Sequence, residues 1–272
     1  MQQELYNVKF FFKDRFLDTP YASVMRTAFH HIAYLPLTVC NALSMERLET
    51  TARRADLPAG AAVLDIGCAY GEVSIRLAQA LDARVVAVER DPVMADGAQE
   101  RIAAAGLEDR IDLKRDLSGP VLAAAPPFDM IVAIGSTEPA GGGLREPAEV
   151  FAALAEHLSP GGALLWGDLF WKEEPPAPLR QIVETGGYYV SHEEWQAAAR
   201  QAGLQVVSAE IADHDEWTAY RTGMETAIAD WLDTHPDHPD APSVAATAHR
   251  IKMMLDFGAD YLGFGLYLFR KS

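Results

Sequence analysis

Between residues 63 and 72 the chain reads Val63-Leu64-Asp65-Ile66-Gly67-Cys68-Ala69-Tyr70-Gly71-Glu72, an apolar run ending in an acid, then a glycine turn that opens a helical pattern. Such a turn brings bare backbone against a ligand. A dinucleotide would require the spacing GxGxxG, with its pyrophosphate at the helix N-terminus. Those three positions are Gly67, Ala69 and Glu72, so a carboxylate stands where the phosphates would sit. The turn suits instead a ligand that lacks phosphate and carries positive charge, as a sulfonium does. Roughly 20 residues on, the distance expected of this architecture, Val85-Val86-Ala87-Val88 ends in Glu89, Arg90 and Asp91. The two oxygens of Glu89 suit a vicinal diol.

These segments resemble the class I S-adenosylmethionine-dependent methyltransferase family, whose first motif is an acid followed by GxGxG. Here Asp65, Gly67 and Gly71 match and Ala69 replaces the middle glycine, a small-for-small change that is tolerated if φ is negative there. The resemblance implies that Glu89 accepts the ribose hydroxyls. It implies that Asp116, in Ile111-Asp112-Leu113-Lys114-Arg115-Asp116-Leu117, faces the adenine amino group while the Leu117 amide meets a ring nitrogen. Phe128 to Ile134 resembles the fourth strand, and Leu158-Ser159-Pro160-Gly161-Gly162 the family's LxPGG turn. Cys68, Arg90 and Ile134 complete the implied cofactor site, and S-adenosylmethionine is the implied cofactor. The tail of the chain resembles a largely uncharacterised bacterial branch that names no substrate.

Those motifs need strands to carry them. Apolar runs predict strands over 62–66, 84–88, 111–114, 129–134, 163–169 and 204–209, with helices over 92–105, 146–158 and 192–202 between them, which is a parallel α/β rhythm. A terminal strand is expected over 261–269, its glycines marking close approach of a neighbour. The family implies a Rossmann-like, seven-stranded, mostly parallel sheet with an antiparallel last strand. Three regions are expected: a helical N-terminal cap over 1–57, a core over 58–212 and 260–272, and a helical lid insertion over 213–259.

The composition bounds the partners. Lys and Arg number 23 against 39 Asp and Glu, a formal net charge of -16, which disfavours nucleic acid and anionic membrane surfaces. The two cysteines, Cys40 and Cys68, lack metal-binding spacing, so no metal is expected and a cytoplasmic chain is. No stretch approaches the ~18 apolar residues of a membrane span.

The expected activity is in-line methyl transfer to an oxygen, nitrogen, sulfur or carbon of a small molecule. Its acceptor would lie beyond the carboxyl ends of the strands. Aromatic residues Trp171, Tyr188, Tyr189, Trp217 and Tyr220 are the candidate walls, and Trp195 and Trp231 are assigned to core. His214, beside two aspartates, and His31 are the candidate bases. Cys68 reads as a small structural residue. The alternatives are a cofactor-binding regulator or partner subunit without catalysis, and a nicotinamide oxidoreductase. Oligomeric state is left open.

Overall fold

The computed structural model describes residues 28–184 and 187–272. Expectations for the cap that fall on residues 1–27 lie outside that range. The chain divides into two compact units, one of Met1–Leu37 with Thr222–Met253 and one of Thr38–Arg221 with Met254–Ser272.

The larger unit is built on seven strands: β1 (Ala62–Ile66), β2 (Arg84–Val88), β3 (Ile111–Lys114), β4 (Phe128–Ile134), β5 (Leu158–Trp171), β6 (Leu204–Ile211) and β7 (Leu262–Lys271). They form one sheet in the order β3-β2-β1-β4-β5-β7-β6. Every neighbouring pair is parallel except the two that β7 makes with β5 and β6. The expected mixed sheet with an antiparallel last strand is what the chain forms. Chain order reverses between β1 and β4, and ligands of open α/β sheets bind outside the carboxyl ends at such a point.

The strands are nearly continuous apolar runs because both faces are covered, as parallel sheets require. One face carries Val63, Val85, Met130, Val132, Leu165 and Leu266 against Leu77 and Leu48. The other carries Leu64, Ile131, Leu164 and Phe269 against Phe151, Leu154 and Trp195. The helices that supply these covers are α1 (Met45–Arg53), α2 (Glu72–Ala80), α5 (Pro147–Glu156) and α7 (His192–Gln201), alongside α3 (Pro92–Ala104), α4 (Ser118–Ala124) and α6 (Ala177–Val183). Helix α7 begins with a capping box, the Ser191 side chain accepting from the Glu194 amide while Glu194 reaches back to the Ser191 amide.

Two long helices follow β6, α8 (His214–Thr234) and α9 (Ala241–Gly258). Strand β5 begins before its apolar run: Leu158 pairs with Phe128 and Ala163 with Met130, so Ser159 to Gly162 make an irregularity between the two pairs, with Gly161 at a φ of +75°. Trp195 is core, but Trp231 is not. It is half-buried in the smaller unit with His235 stacked on it, ring centroids 4.9 Å apart.

Candidate active site

The turn after β1 is fixed by backbone bonds, the Gly67 and Cys68 amides both donating to the Val88 carbonyl at 2.9 and 3.0 Å. Gly67, Ala69 and Gly71 all have positive φ, +74°, +48° and +83°. The condition for an unstrained alanine, a negative φ, is not met at Ala69. The chain needs the left-handed conformation there to present the Ala69 amide to Glu89, and it tolerates the cost of roughly 1–2 kcal/mol that an L-residue incurs. At Gly67 a Cβ would come within 2.7 Å of Ser136 Oγ, whose hydroxyl donates to the Ile66 carbonyl.

Glu89 closes β2 beneath this turn, nearly inaccessible. Its Oε2 accepts from the Ala69 amide at 3.0 Å and its Oε1 from the Asp91 amide at 2.8 Å. Burial pushes its pKa up, against the pull of those backbone donors. Each oxygen keeps a further lone pair for a hydroxyl donor. Arg90 is exposed. Glu72 heads α2 and takes an ion pair from Arg101 at 3.0 Å.

Asp65 does not lie open at the sheet edge. It is buried, 3% exposed, and accepts from Ser74 Oγ at 2.6 Å, pinning β1 to α2. Burial raises its pKa to about 6, with Ser74 opposing. Cys68 packs into the core below the turn, and burial holds its thiol, like that of Cys40 at about 12, in the protonated form. Neither suits a nucleophile at neutral pH.

Beyond β3, Asp116 and Leu117 are both exposed. The Leu117 amide donates to its neighbour's Oδ1 at 2.7 Å, so a ring nitrogen would have to replace that bond. Ile134 closes β4, half-buried, with Gly135 and Ser136 following it. Sequence reading missed Asn41, which lies 93 residues upstream and donates from Nδ2 to the Ile134 carbonyl at 3.3 Å. A Cβ on Gly135, whose φ is +62°, would lie 2.6 Å from Asn41 Oδ1. No motif marks Asn41; only tertiary packing brings it to the edge.

The central strands are buried until this edge. Along β5, Ala163 to Gly167 are buried and Phe170 and Trp171 are buried again, but Asp168 and Leu169 between them keep accessible surface. Gly167 pairs with Ile134, so this opening adjoins Ile134 to Ser136. Leu169, Trp217 and Tyr220 pack against the core on one face of the sheet, the centroids of the two aromatic rings 6.3 Å apart, while Leu169 and Tyr189 pack against the cluster that holds Trp171. Tyr188 is exposed. The Trp171 indole N–H is buried without a hydrogen-bond partner among the described residues. His214 is exposed at the head of α8, and His31 belongs to the smaller unit. Among the described residues no group of three or more His, Cys, Asp and Glu could hold a metal ion.

A glycine turn of three positive φ values, a diol-sized carboxylate behind it and acids in place of phosphate-binding cations fit a cationic nucleoside and not a dinucleotide. Comparison with known proteins agrees. Residues 63–162 match the family model described as a methyltransferase domain. Over these residues the chain carries a methyltransferase domain, and it is similar to S-adenosylmethionine-dependent methyltransferases. It is 24% identical to the uncharacterized protein YjhP of Escherichia coli K12 over 84% of this chain and 91% of that protein. It is 31% identical to the 27-O-demethylrifamycin SV methyltransferase of Amycolatopsis mediterranei over 57% of each. A solved methyltransferase from Thiobacillus denitrificans, in complex with S-adenosyl-L-homocysteine, has the same fold, with a TM-score of 0.77 and 24% identity over 90% of this chain and 98% of that one. Among the described residues no helix is long and apolar enough to cross a membrane.

Proposed function

We propose that the chain methylates a small molecule held over the carboxyl ends of β4 and β5. The observation that carries this reading is the opening at Asp168 and Leu169, beside Ile134 to Ser136 and otherwise surrounded by buried strand residues. A large polyanionic acceptor fits poorly with a net charge of -16. The rifamycin relative, by its name, also acts on a small molecule.

We assign Glu89 to the ribose hydroxyls and the exposed pair Asp116 and Leu117 to the adenine. Gly67, Cys68 and Gly71 supply the close backbone approach, with Asp65 behind them as the brace that holds β1 to α2. Arg90 and Ile134 flank the same edge. When bound, the cofactor supplies an electrophilic methyl carbon on a sulfonium. The chain's own task is to orient the acceptor in line with that carbon and exclude water. Trp217 and Tyr220, partly buried against the same core cluster as Leu169, serve as the acceptor's apolar wall. Trp171 offers an unpartnered N–H close by, with Tyr189 beside it, and Tyr188 stands further out.

Calorimetric titration with S-adenosyl-L-homocysteine, with NADH as the control, tests the cofactor site without an acceptor. Saturable binding of the first alone is expected. An acceptor screen over hydroxylated and amino compounds then follows release of S-adenosyl-L-homocysteine. Binding of NADH in its place, or turnover only on nucleic acid or protein, would overturn the reading.

A further inference from the structure

One buried ionisable group at the opening has no part in the cofactor site. Asp168 lies on β5 one residue beyond the last residue paired with β4, and its partner on β7 is Gly265, which has no side chain. Protein surrounds the carboxyl group, yet the residue keeps some accessible surface, on the sheet face that carries Trp166 and Phe170. Its Oδ1 accepts from the Leu169 amide at 2.8 Å. The space over Gly265 is taken by the Tyr267 ring, whose hydroxyl lies where a Cβ on Gly265 would be. That hydroxyl is 2.9 Å from His192 Nδ1 at the head of α7. Asp168, Tyr267 and His192 thus form a polar group at the carboxyl edge, set within the otherwise apolar layer of Trp166, Phe170, Trp195 and Phe269.

Resting on the methyl-transfer reading above, we propose that Asp168 is the general base for the acceptor, and that the acceptor is therefore a hydroxyl or ammonium group whose proton must leave. The nucleophile's lone pair forms the bond to the methyl carbon as the carbon–sulfur bond breaks, its electron pair staying on sulfur. A hydroxyl gives its proton to the Asp168 carboxylate as the bond forms; an ammonium gives it up first, which frees the lone pair that attacks. Tyr267 and His192 are positioning residues, the hydroxyl filling the gap over Gly265 beside the carboxylate. A base works best with a pKa near the working pH, and burial raises that of Asp168 to about 7, the Leu169 amide opposing. The ionisable groups on the elements packed against it are Tyr267, raised mainly by burial, and His192, lowered by burial, with exposed Glu193 beside them. Asp168 lies at the carboxyl end of β5, one residue beyond its pairing with β4.

The test begins on the full chain with S-adenosyl-L-homocysteine bound. In protein carrying carbon-13 at the aspartate carboxyls, the signal lost in Asp168→Asn identifies Asp168. Its midpoint is expected near pH 7, and a water-soluble carbodiimide should label it at neutral pH. A midpoint below 5, or no labelling, overturns the proposal. With a phenol or amine that the wild type methylates, Asp168→Asn is expected to lose at least a hundredfold in kcat with KM little changed. Tyr267→Phe should move the acidic limb of the pH profile while retaining most of the maximal rate. Undiminished kcat in Asp168→Asn overturns the proposal. S-adenosyl-L-homocysteine should bind both proteins equally. Failure to bind the wild type would count against the methyl-transfer reading, whereas equal binding with an ordinary Asp168 midpoint would sink the base assignment alone.

Discussion

The Ala69 amide donates to Glu89 Oε2 at 3.0 Å, tying the glycine turn to the end of the neighbouring strand. The same carboxylate holds the Asp91 amide, so one side chain satisfies two backbone donors and keeps lone pairs for a ligand. Glu89→Ala would leave both amides without their acceptor, at roughly 1–3 kcal/mol each where water cannot replace it. The expected outcome is a lower melting temperature together with at least a tenfold loss of S-adenosyl-L-homocysteine affinity, read by calorimetry. Glu89→Gln, which still offers one carbonyl oxygen, should recover part of the stability and less of the affinity. Unchanged affinity in both variants would contradict the assignment.

Ala69 itself sits at φ +48°. Glycine reaches that region without the steric cost of a Cβ, although it gives up some entropy in the unfolded chain. Ala69→Gly is expected to stabilise the protein by about 0.5–1 kcal/mol, a rise of ~1–4 °C in melting temperature for a chain of this size. A scanning calorimeter that shows a fall would mean the turn is held by something other than backbone geometry.

Asp65 gives a pH signature. Its folded pKa of about 6 lies above the usual 3.8, so its protonated form favours the fold. That contribution is complete below about pH 3.8 and is lost as pH rises through 6. Asp65→Asn should therefore flatten the fall in stability between pH 4 and 7 while keeping an acceptor for Ser74. Asp65→Ala also removes the bond that braces β1 against α2, and should cost stability at every pH. Denaturant melts across that range check both.

Glu216 behaves in the opposite sense. Burial pushes its pKa up, but Arg47 and Ser44 hydrogen bonds outweigh this and hold it at about 2. Its contribution is present above the usual 4.5 and is lost as pH falls through 2. Arg47 Nε meets the Glu216 carboxylate at 2.9 Å and Arg47 also reaches Glu210 and Asp213, binding α1 to the head of α8. Glu216→Ala leaves a partly buried guanidinium short of its main partner and should cost about 3 kcal/mol. Urea titration at pH 7 measures it.

Asn41 tests whether the Ile134 carbonyl must be held. Asn41→Ala removes the Nδ2 donor, and the expected result is a net loss of about 1 kcal/mol in stability with weaker S-adenosyl-L-homocysteine binding. Asn41→Asp retains the shape and loses the donor. It should match alanine in affinity if the hydrogen bond is what matters.

The strands were legible because a sheet covered on both faces demands apolar runs, and Val63 to Ile66 or Val85 to Val88 have no other use. The motif acids were legible because they follow those runs directly. Helices α4 and α6 were not, since seven residues carrying Pro120 or Pro178 have too little periodicity to read. The start of β5 was hidden by Ser159-Pro160-Gly161-Gly162, whose composition argues for a turn and which bulge out between the paired Leu158 and Ala163. Asn41 and Asp168 escaped for a different reason. Neither belongs to a pattern, and each acquires its setting from a partner far along the chain, Ile134 for one and Gly265 for the other. The sign of φ at Ala69 could be decided only by where its amide had to point.

In the sheet, β7 lies between β5 and β6, and β6 pairs with no strand but β7. The order of synthesis is therefore not the order of assembly. Residues 204–211 leave the ribosome some fifty residues before the strand that seats them, with two long helices made in the interval. Until residues 262–271 arrive, the apolar flank of β5 and the whole of β6 are unpaired edges, the state most open to mispairing with another chain. For this protein the vulnerable moment in folding is late, and a chaperone that protects it would be needed after most of the sheet has already formed.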